Sequence, residues 1–205
     1  MPQTLGDGVR LLRAFVTNPR QVGAVLPTSR TAVRAMLDLA DVPAAGLVVE
    51  LGAGTGVATR EILARLGAGA RLVALEIDPQ LARRLSERLD DPRLQVVCGS
   101  AEDLDGLLDG ERADVVVSML PFTSLEAGLR RRLLDQLPRA LRPGGTAVVI
   151  QYSPLVLGEL RRRFADVRTR VTPWNVPPAF LFACTGARDR SGGDEPPAPR
   201  RSHRA

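Results

Sequence analysis

Apolar positions recur along this chain first at helical spacing and then in short alternating blocks. Leu5, Val9, Leu12 and Val16 form one helical stripe flanked by Arg10 and Arg13, which predicts an amphipathic helix over Thr4 to Thr17, stopped by Asn18-Pro19. A Gly/Pro loop from Pro19 to Pro27 follows, and Thr28 or Ser29 can cap a second helix reaching about Ala40. Beyond Pro43 to Gly46 the pattern changes to apolar runs separated by helical stretches. Leu47 to Leu51 predicts a first strand and Thr59 to Leu66 a helix. Arg71 to Ile77 is a second strand, and Pro79 opens the next helix, where its missing N–H costs nothing. Leu94 to Cys98 and Ala113 to Leu120 give strands three and four, and Glu126 to Leu141 a long helix. Thr146 to Tyr152 is strand five.

Short apolar strands alternating with helices predict an α/β fold: a mostly parallel twisted sheet with helices on both faces. The end reads differently. Leu155 to Phe164 is helical, while Val167 to Val171 and Ala179 to Thr185 are close enough to pair antiparallel at a sheet edge, giving an antiparallel last strand. Residues 1–186 therefore read as one domain, with 1–40 as a helical lid or membrane-docking segment. The Gly/Pro/Arg-rich stretch 187–205 lacks the apolar content to join a core and reads as a disordered tail.

Composition narrows the class. The 205 residues suit one domain with a sizeable core, and no apolar run approaches the roughly 18 residues of a membrane span. With no signal-peptide h-region, the expected location is the cytoplasm. The net charge is +5 with arginine as the basic residue throughout and no lysine, a basicity that would favour anionic partners. Cys98 and Cys184 lack metal-ligand spacing and are expected to be two buried thiols, so no metal site is expected.

The chemistry concentrates after strand one, in Glu50-Leu51-Gly52-Ala53-Gly54-Thr55-Gly56. Glycines between a strand and a helix permit positive φ and let a ligand approach the backbone. A dinucleotide fold wants G-x-G-x-x-G, but here Val57 stands at that third position and the glycine comes one residue early, at Gly56. The spacing disfavours a dinucleotide and matches enzymes that bind S-adenosyl-L-methionine. A second acid, Glu76, ends strand two 20 residues past Gly56, where a carboxylate can accept the ribose hydroxyls, and Ile77 can pack on the adenine. The loop Gly99-Ser100-Ala101 after strand three would lie beside the adenine. Ser118-Met119-Leu120-Pro121 after strand four is where a methyl group would be delivered.

The segment Val22-Gly23-Ala24-Val25-Leu26-Pro27-Thr28-Ser29, the glycine turn, Ser118-Met119-Leu120-Pro121, Gln151-Tyr152 and Trp174-Asn175-Val176-Pro177-Pro178-Ala179 together resemble the bacterial phospholipid N-methyltransferases acting on phosphatidylethanolamine, which are relatives of the rRNA adenine dimethylases. The resemblance implies a Rossmann-like class I methyltransferase sheet and a membrane-docking N-terminal helix. It also implies donor binding at Glu50, Gly52, Gly54, Glu76 and the Gly99–Ala101 loop. Ser100 stands where the family often has aspartate, so a hydroxyl replaces the acidic contact to the adenine, or that contact passes to Glu102 or Asp103.

Methyl transfer from a sulfonium is an in-line displacement, so the protein mainly aligns the amine and excludes water. His203, the only histidine, lies in the tail and leaves no imidazole base in the fold. Carbonyls of the Ser118–Pro121 loop (Ser118, Leu120 and Pro121 being the candidates) would then orient the amine, with water taking its proton. Tyr152 would either face the methylated ammonium through its ring or fill the sheet end. The resemblance thus implies a phospholipid substrate, a monomer peripheral at the inner membrane face, and no nucleic-acid partner. A small-molecule N-, O- or C-methyltransferase on the same scaffold remains open, since fold does not set substrate. An rRNA adenine dimethylase is disfavoured by the lack of a C-terminal helical domain, and a non-enzymatic donor-binding protein by the intact glycine turn and acids.

Overall fold

A computed structural model describes residues 28–173 and 177–188. The N-terminal helix over Thr4 to Thr17, the loop to Pro27, Trp174 to Val176 and nearly all of the 187–205 tail lie outside the described residues.

The strands are β1 (Leu47–Leu51), β2 (Arg71–Glu76), β3 (Leu94–Cys98), β4 (Ala113–Ser118), β5 (Leu141–Gln151), β6 (Phe164–Thr172) and β7 (Ala179–Ala187). The helices are α1 (Arg30–Leu37), α2 (Val57–Leu63), α3 (Pro79–Arg88), α4 (Leu104–Leu107), α5 (Ala127–Ala140) and α6 (Leu157–Arg163). The strands form one sheet of order β3-β2-β1-β4-β5-β7-β6. All pairs from β3 to β5 are parallel, and β7 runs antiparallel to both β5 and β6. The strand order reverses between β1 and β4, the place where open α/β sheets bind ligands beyond their carboxyl ends.

Alternation along the strands sorts side chains into two layers. Leu47, Val49 and Leu51 pack with α5 and α6 through Leu129, Leu133, Leu137 and Leu160. Val48 packs on the opposite face with Val33, Met36 and Leu37 of α1 and Ile62 of α2. Burial on both faces is why β1 reads as a continuous apolar run rather than an alternating one. Of the two candidate caps, Thr28 and Ser29, it is Ser29 that caps α1, accepting from the Ala32 N–H at 3.1 Å. Glu61 on α2 pairs with Arg34 at 2.7 Å and Arg30 at 3.5 Å, tying α1 to α2.

Several boundaries move. β5 begins at Leu141 because Leu141 pairs with Ala113 before the Arg142–Gly145 excursion, and regular pairing resumes at Val115 with Thr146. β6 starts at Phe164, three residues before the expected Val167, and β7 inserts between β5 and β6. That insertion depends on long-range pairing that no local pattern encodes. Cys98 is exposed at the end of an edge strand, correcting the expectation of two buried thiols. Cys184 is buried, and desolvation pushes its thiol up to about 12.

Candidate active site

The glycine turn sits at the carboxyl end of β1 and is stitched to β2. The Gly52 and Ala53 N–H groups donate to the Leu75 carbonyl at 2.9 and 3.0 Å. Gly54 N–H donates to Glu76 Oε2 at 2.7 Å, and Asp78 N–H to Glu76 Oε1 at 2.9 Å. Gly52, Gly54 and Gly56 all adopt left-handed φ, of +80°, +55° and +79°, so the three glycines are required by the backbone itself. Beside the turn lies a shallow cleft lined by Gly52, Leu75, Glu76, Ile77, Gly99, Ala101 and Leu120. Five predicted donor residues thus converge: Gly52, Glu76, Ile77, Gly99 and Ala101.

Glu50, Gly54, Gly56 and Ser100 lie off that lining, each for a physical reason. Gly54 holds Glu76 from behind. Gly56 caps α2, and a Cβ there would come within 2.4 Å of Leu85 Cδ1 on α3. Gly56→Ala combines a left-handed backbone with that overlap. It is expected to cost about 1–3 kcal/mol, read as a lower urea midpoint with an unchanged slope. Ser100 turns inward to cap the following 3-10 turn, accepting from Glu102 N–H at 3.2 Å. Glu102, a possible substitute for the missing acid, pairs instead with Arg132 of α5 at 2.6 Å.

Glu50 is fully buried on the α2 face, where Thr59 Oγ1 donates to its Oε2 at 2.7 Å. Its Oε1 is buried with no hydrogen-bond partner. Desolvation, reinforced by the nearby Glu76 charge and opposed by Thr59, raises its carboxyl to about 7. Glu76 is also raised, again by burial, against the backbone N–H donors that favour its charge. Glu76 on the cleft wall, with Glu50 buried off the lining and one of its oxygens unpartnered, gives an acidic surround that fits a positively charged ligand carrying hydroxyls.

On the acceptor side, Ser118 is buried, and Leu120 N–H lies 3.5 Å from its Oγ. The Leu120 carbonyl accepts twice, from Gln151 Nε2 at 2.7 Å and from Phe122 N–H at 2.9 Å. The Pro121 carbonyl accepts from Ser124 N–H at 2.9 Å. Met119 lies beside the donor cleft: its carbonyl carbon is 3.8 Å from where a Cβ on Gly52 would stand. Tyr152 packs on the α1 face, its hydroxyl 2.9 Å from Thr28 Oγ1. Sequence reasoning singled out neither Gln151 as the holder of the acceptor loop nor Thr59 as the partner of Glu50. A glutamine at a strand end and a threonine in a first helical turn carry no local signal.

The fold and this turn define a class of protein, and relatives agree. A family model described as a methyltransferase domain matches residues 48–145. The ornithine lipid N-methyltransferase of Singulisphaera acidiphila is 41% identical over 150 residues, covering 71% of this chain and 78% of that protein. A ribosomal RNA small subunit methyltransferase A of a Synechococcus species is 33% identical over 120 residues, 58% of this chain and 41% of that protein. Among solved structures, the N-methyltransferase NodS of Bradyrhizobium japonicum in complex with S-adenosyl-L-homocysteine superposes with a TM-score of 0.70 at 16% identity, covering 88% of this chain and 99% of that one. The protein is therefore an enzyme that takes its methyl group from S-adenosyl-L-methionine. The chain belongs to the class I methyltransferases, in the same family as the ornithine lipid N-methyltransferase.

Proposed function

We propose that the enzyme N-methylates the primary amine headgroup of a membrane lipid, with phosphatidylethanolamine as the acceptor to which the sequence resemblance points. The observation that carries this reading is the 41% identity to a lipid N-methyltransferase over 71% of the chain, a span that includes more than the donor-binding half. That relative's own name favours a second acceptor, an amino-acid lipid with a free side-chain amine.

S-adenosyl-L-methionine, when bound, would supply a sulfonium methyl: a neutral amine would bond to that carbon in line as the carbon–sulfur bond breaks, releasing the thioether S-adenosyl-L-homocysteine. In this reading Glu76 accepts the ribose hydroxyls with its remaining lone pairs, and Ile77 and Ala101 pack on the adenine. Gly99 shapes the adjoining wall, Ser100 supports it from behind by capping the next turn, and Gly52, Gly54 and Gly56 keep the turn open. The orphan Oε1 of Glu50 is the acceptor for the donor's ammonium. The Leu120 carbonyl is already doubly occupied, so amine orientation passes to the Met119 carbonyl, with Ser118, Leu120 and Pro121 acting through the shape of the loop. The apolar loop disfavours ammonium, so the amine arrives neutral and its proton leaves to water. The Tyr152 ring is the candidate surface for the methylated ammonium.

Among the described residues no helix is long and apolar enough to cross a membrane. The proposal is a peripheral monomer at the inner membrane face, docking through its N-terminal segment. The test is donor turnover on vesicles containing either phosphatidylethanolamine or ornithine lipid, with products scored by mass. Methylated headgroups on either lipid are the expected result and identify the acceptor. Donor binding with no lipid gaining mass would overturn the lipid reading in favour of a small-molecule acceptor.

A further inference from the structure

A second cleft opens on the acceptor side of the sheet and is lined by Thr123, Arg130, Leu155, Val156 and Glu159. It lies beyond the carboxyl ends of β4 and β5. Its walls are the 3-10 turn Phe122–Ser124, which continues the methyl-delivery loop, and the 3-10 turn Pro154–Val156, which follows Gln151 and Tyr152. The cleft is therefore continuous in chain with both segments expected to face the amine.

Its polar wall is one partly buried ion pair. Arg130 Nε donates to Glu159 Oε1 at 2.8 Å, and Arg130 Nη1 to the Leu125 carbonyl at 3.3 Å. These two contacts hold the guanidinium plane at the cleft wall. Glu159 also has Arg163 Nη1 3.9 Å from its other oxygen, but Arg163 Nε pairs with Asp135 at 2.8 Å, so the two carboxylates offset the two guanidinium groups and Arg130 is the cation that lines the cleft. The apolar wall ends in Leu155, which is 79% exposed and the most exposed of the large hydrophobic residues described. A guanidinium at the inner end and an unburied leucine at the rim suit an amphiphile whose anion goes in and whose chain stays out.

We propose that this cleft seats the anionic group of the acceptor lipid, the phosphate or carboxylate a few bonds from its amine, on Arg130, with the first acyl carbons passing over Leu155. The inference rests on the lipid-amine reading above. The anion then anchors the headgroup while the amine reaches the Met119–Pro121 loop.

The test uses the full chain loaded with S-adenosyl-L-homocysteine. Calorimetry measures binding of two soluble headgroup compounds, glycerophosphoethanolamine and an N-acylated ornithine, beside an alkylamine with no anion. Arg130→Gln is expected to weaken both anionic compounds about tenfold or more and to leave the alkylamine unchanged, with Arg130→Lys recovering part of the loss. Whichever compound binds the native protein tighter distinguishes phosphate from carboxylate. Because Arg130→Gln strands the Glu159 charge, the double variant Arg130→Gln/Glu159→Gln repeats the comparison without an orphan. Equal weakening of all three compounds, no weakening, or failure of the native protein to bind either anionic compound would overturn the cleft assignment. Failure to methylate any lipid despite such binding would instead overturn the lipid-amine reading.

Discussion

At pH 8, Glu50→Gln is expected to stabilise the fold while weakening donor binding at least tenfold. Glu50 is fully buried and its carboxyl is raised from 4.5 to about 7. A raised carboxyl pKa means that the folded protein holds the proton more tightly than the unfolded chain. The contribution is therefore whole below about pH 4.5 and is lost as pH rises through 7. Above that window the buried charge costs about 3 kcal/mol, from roughly 1.4 kcal/mol per pH unit. Glutamine removes the charge and keeps an oxygen for the Thr59 hydroxyl, so denaturant unfolding should give a higher midpoint for the variant at pH 8. The two proteins should converge below about pH 4.5. The donor reverses the ranking, because its ammonium needs the ionised carboxylate and calorimetric affinity falls with the charge removed. For the same reason, native donor affinity should climb as pH rises from 6 to 8. A variant less stable at pH 8 with unchanged donor affinity would remove Glu50 from the donor site.

Gln151→Leu is expected to lower kcat about a hundredfold with donor affinity unchanged, the scale at which a displacement of about 1 Å in the aligned groups is felt. Gln151 is 2% exposed at the end of β5, and its amide spans the acceptor loop. Nε2 donates to the Leu120 carbonyl at 2.7 Å and to the Ile150 carbonyl at 2.6 Å, while Oε1 accepts from Thr123 N–H at 3.4 Å. Leucine fills the volume but leaves the Thr123 N–H without this acceptor and frees one side of the Leu120 carbonyl. A stability loss of about 1–2 kcal/mol should accompany the change. A merely structural role would show that loss with kcat intact. Gln151→Glu separates the two, keeping the acceptor for Thr123 but losing the donor for Leu120. Its kcat should fall with the leucine variant's, and full activity in either protein would sink the positioning role.

Much of this protein was legible in the linear chain because its decisive signals are local. A strand buried on both faces must be apolar throughout, and a turn that needs left-handed φ at Gly52, Gly54 and Gly56 must carry glycine there. The acid 20 residues downstream follows from one helix and one strand separating two adjacent strand ends. Those features suffice for the α/β class, the donor and the positions of Glu50 and Glu76. Tertiary structure decided the rest, because the physics there lies between residues far apart in sequence. Insertion of β7 between β5 and β6 depends on pairing across the whole C-terminal third. The burial that lifts Glu50 towards neutrality arises only when α2 closes over β1. The loss of Leu120 as a free acceptor comes from an amide 31 residues away. The cleft between Arg130 and Leu155 exists only because α5, α6 and two short turns meet beyond the sheet. An arginine in a run of three looks like a solvated helix face until the fold shows which one lines a wall.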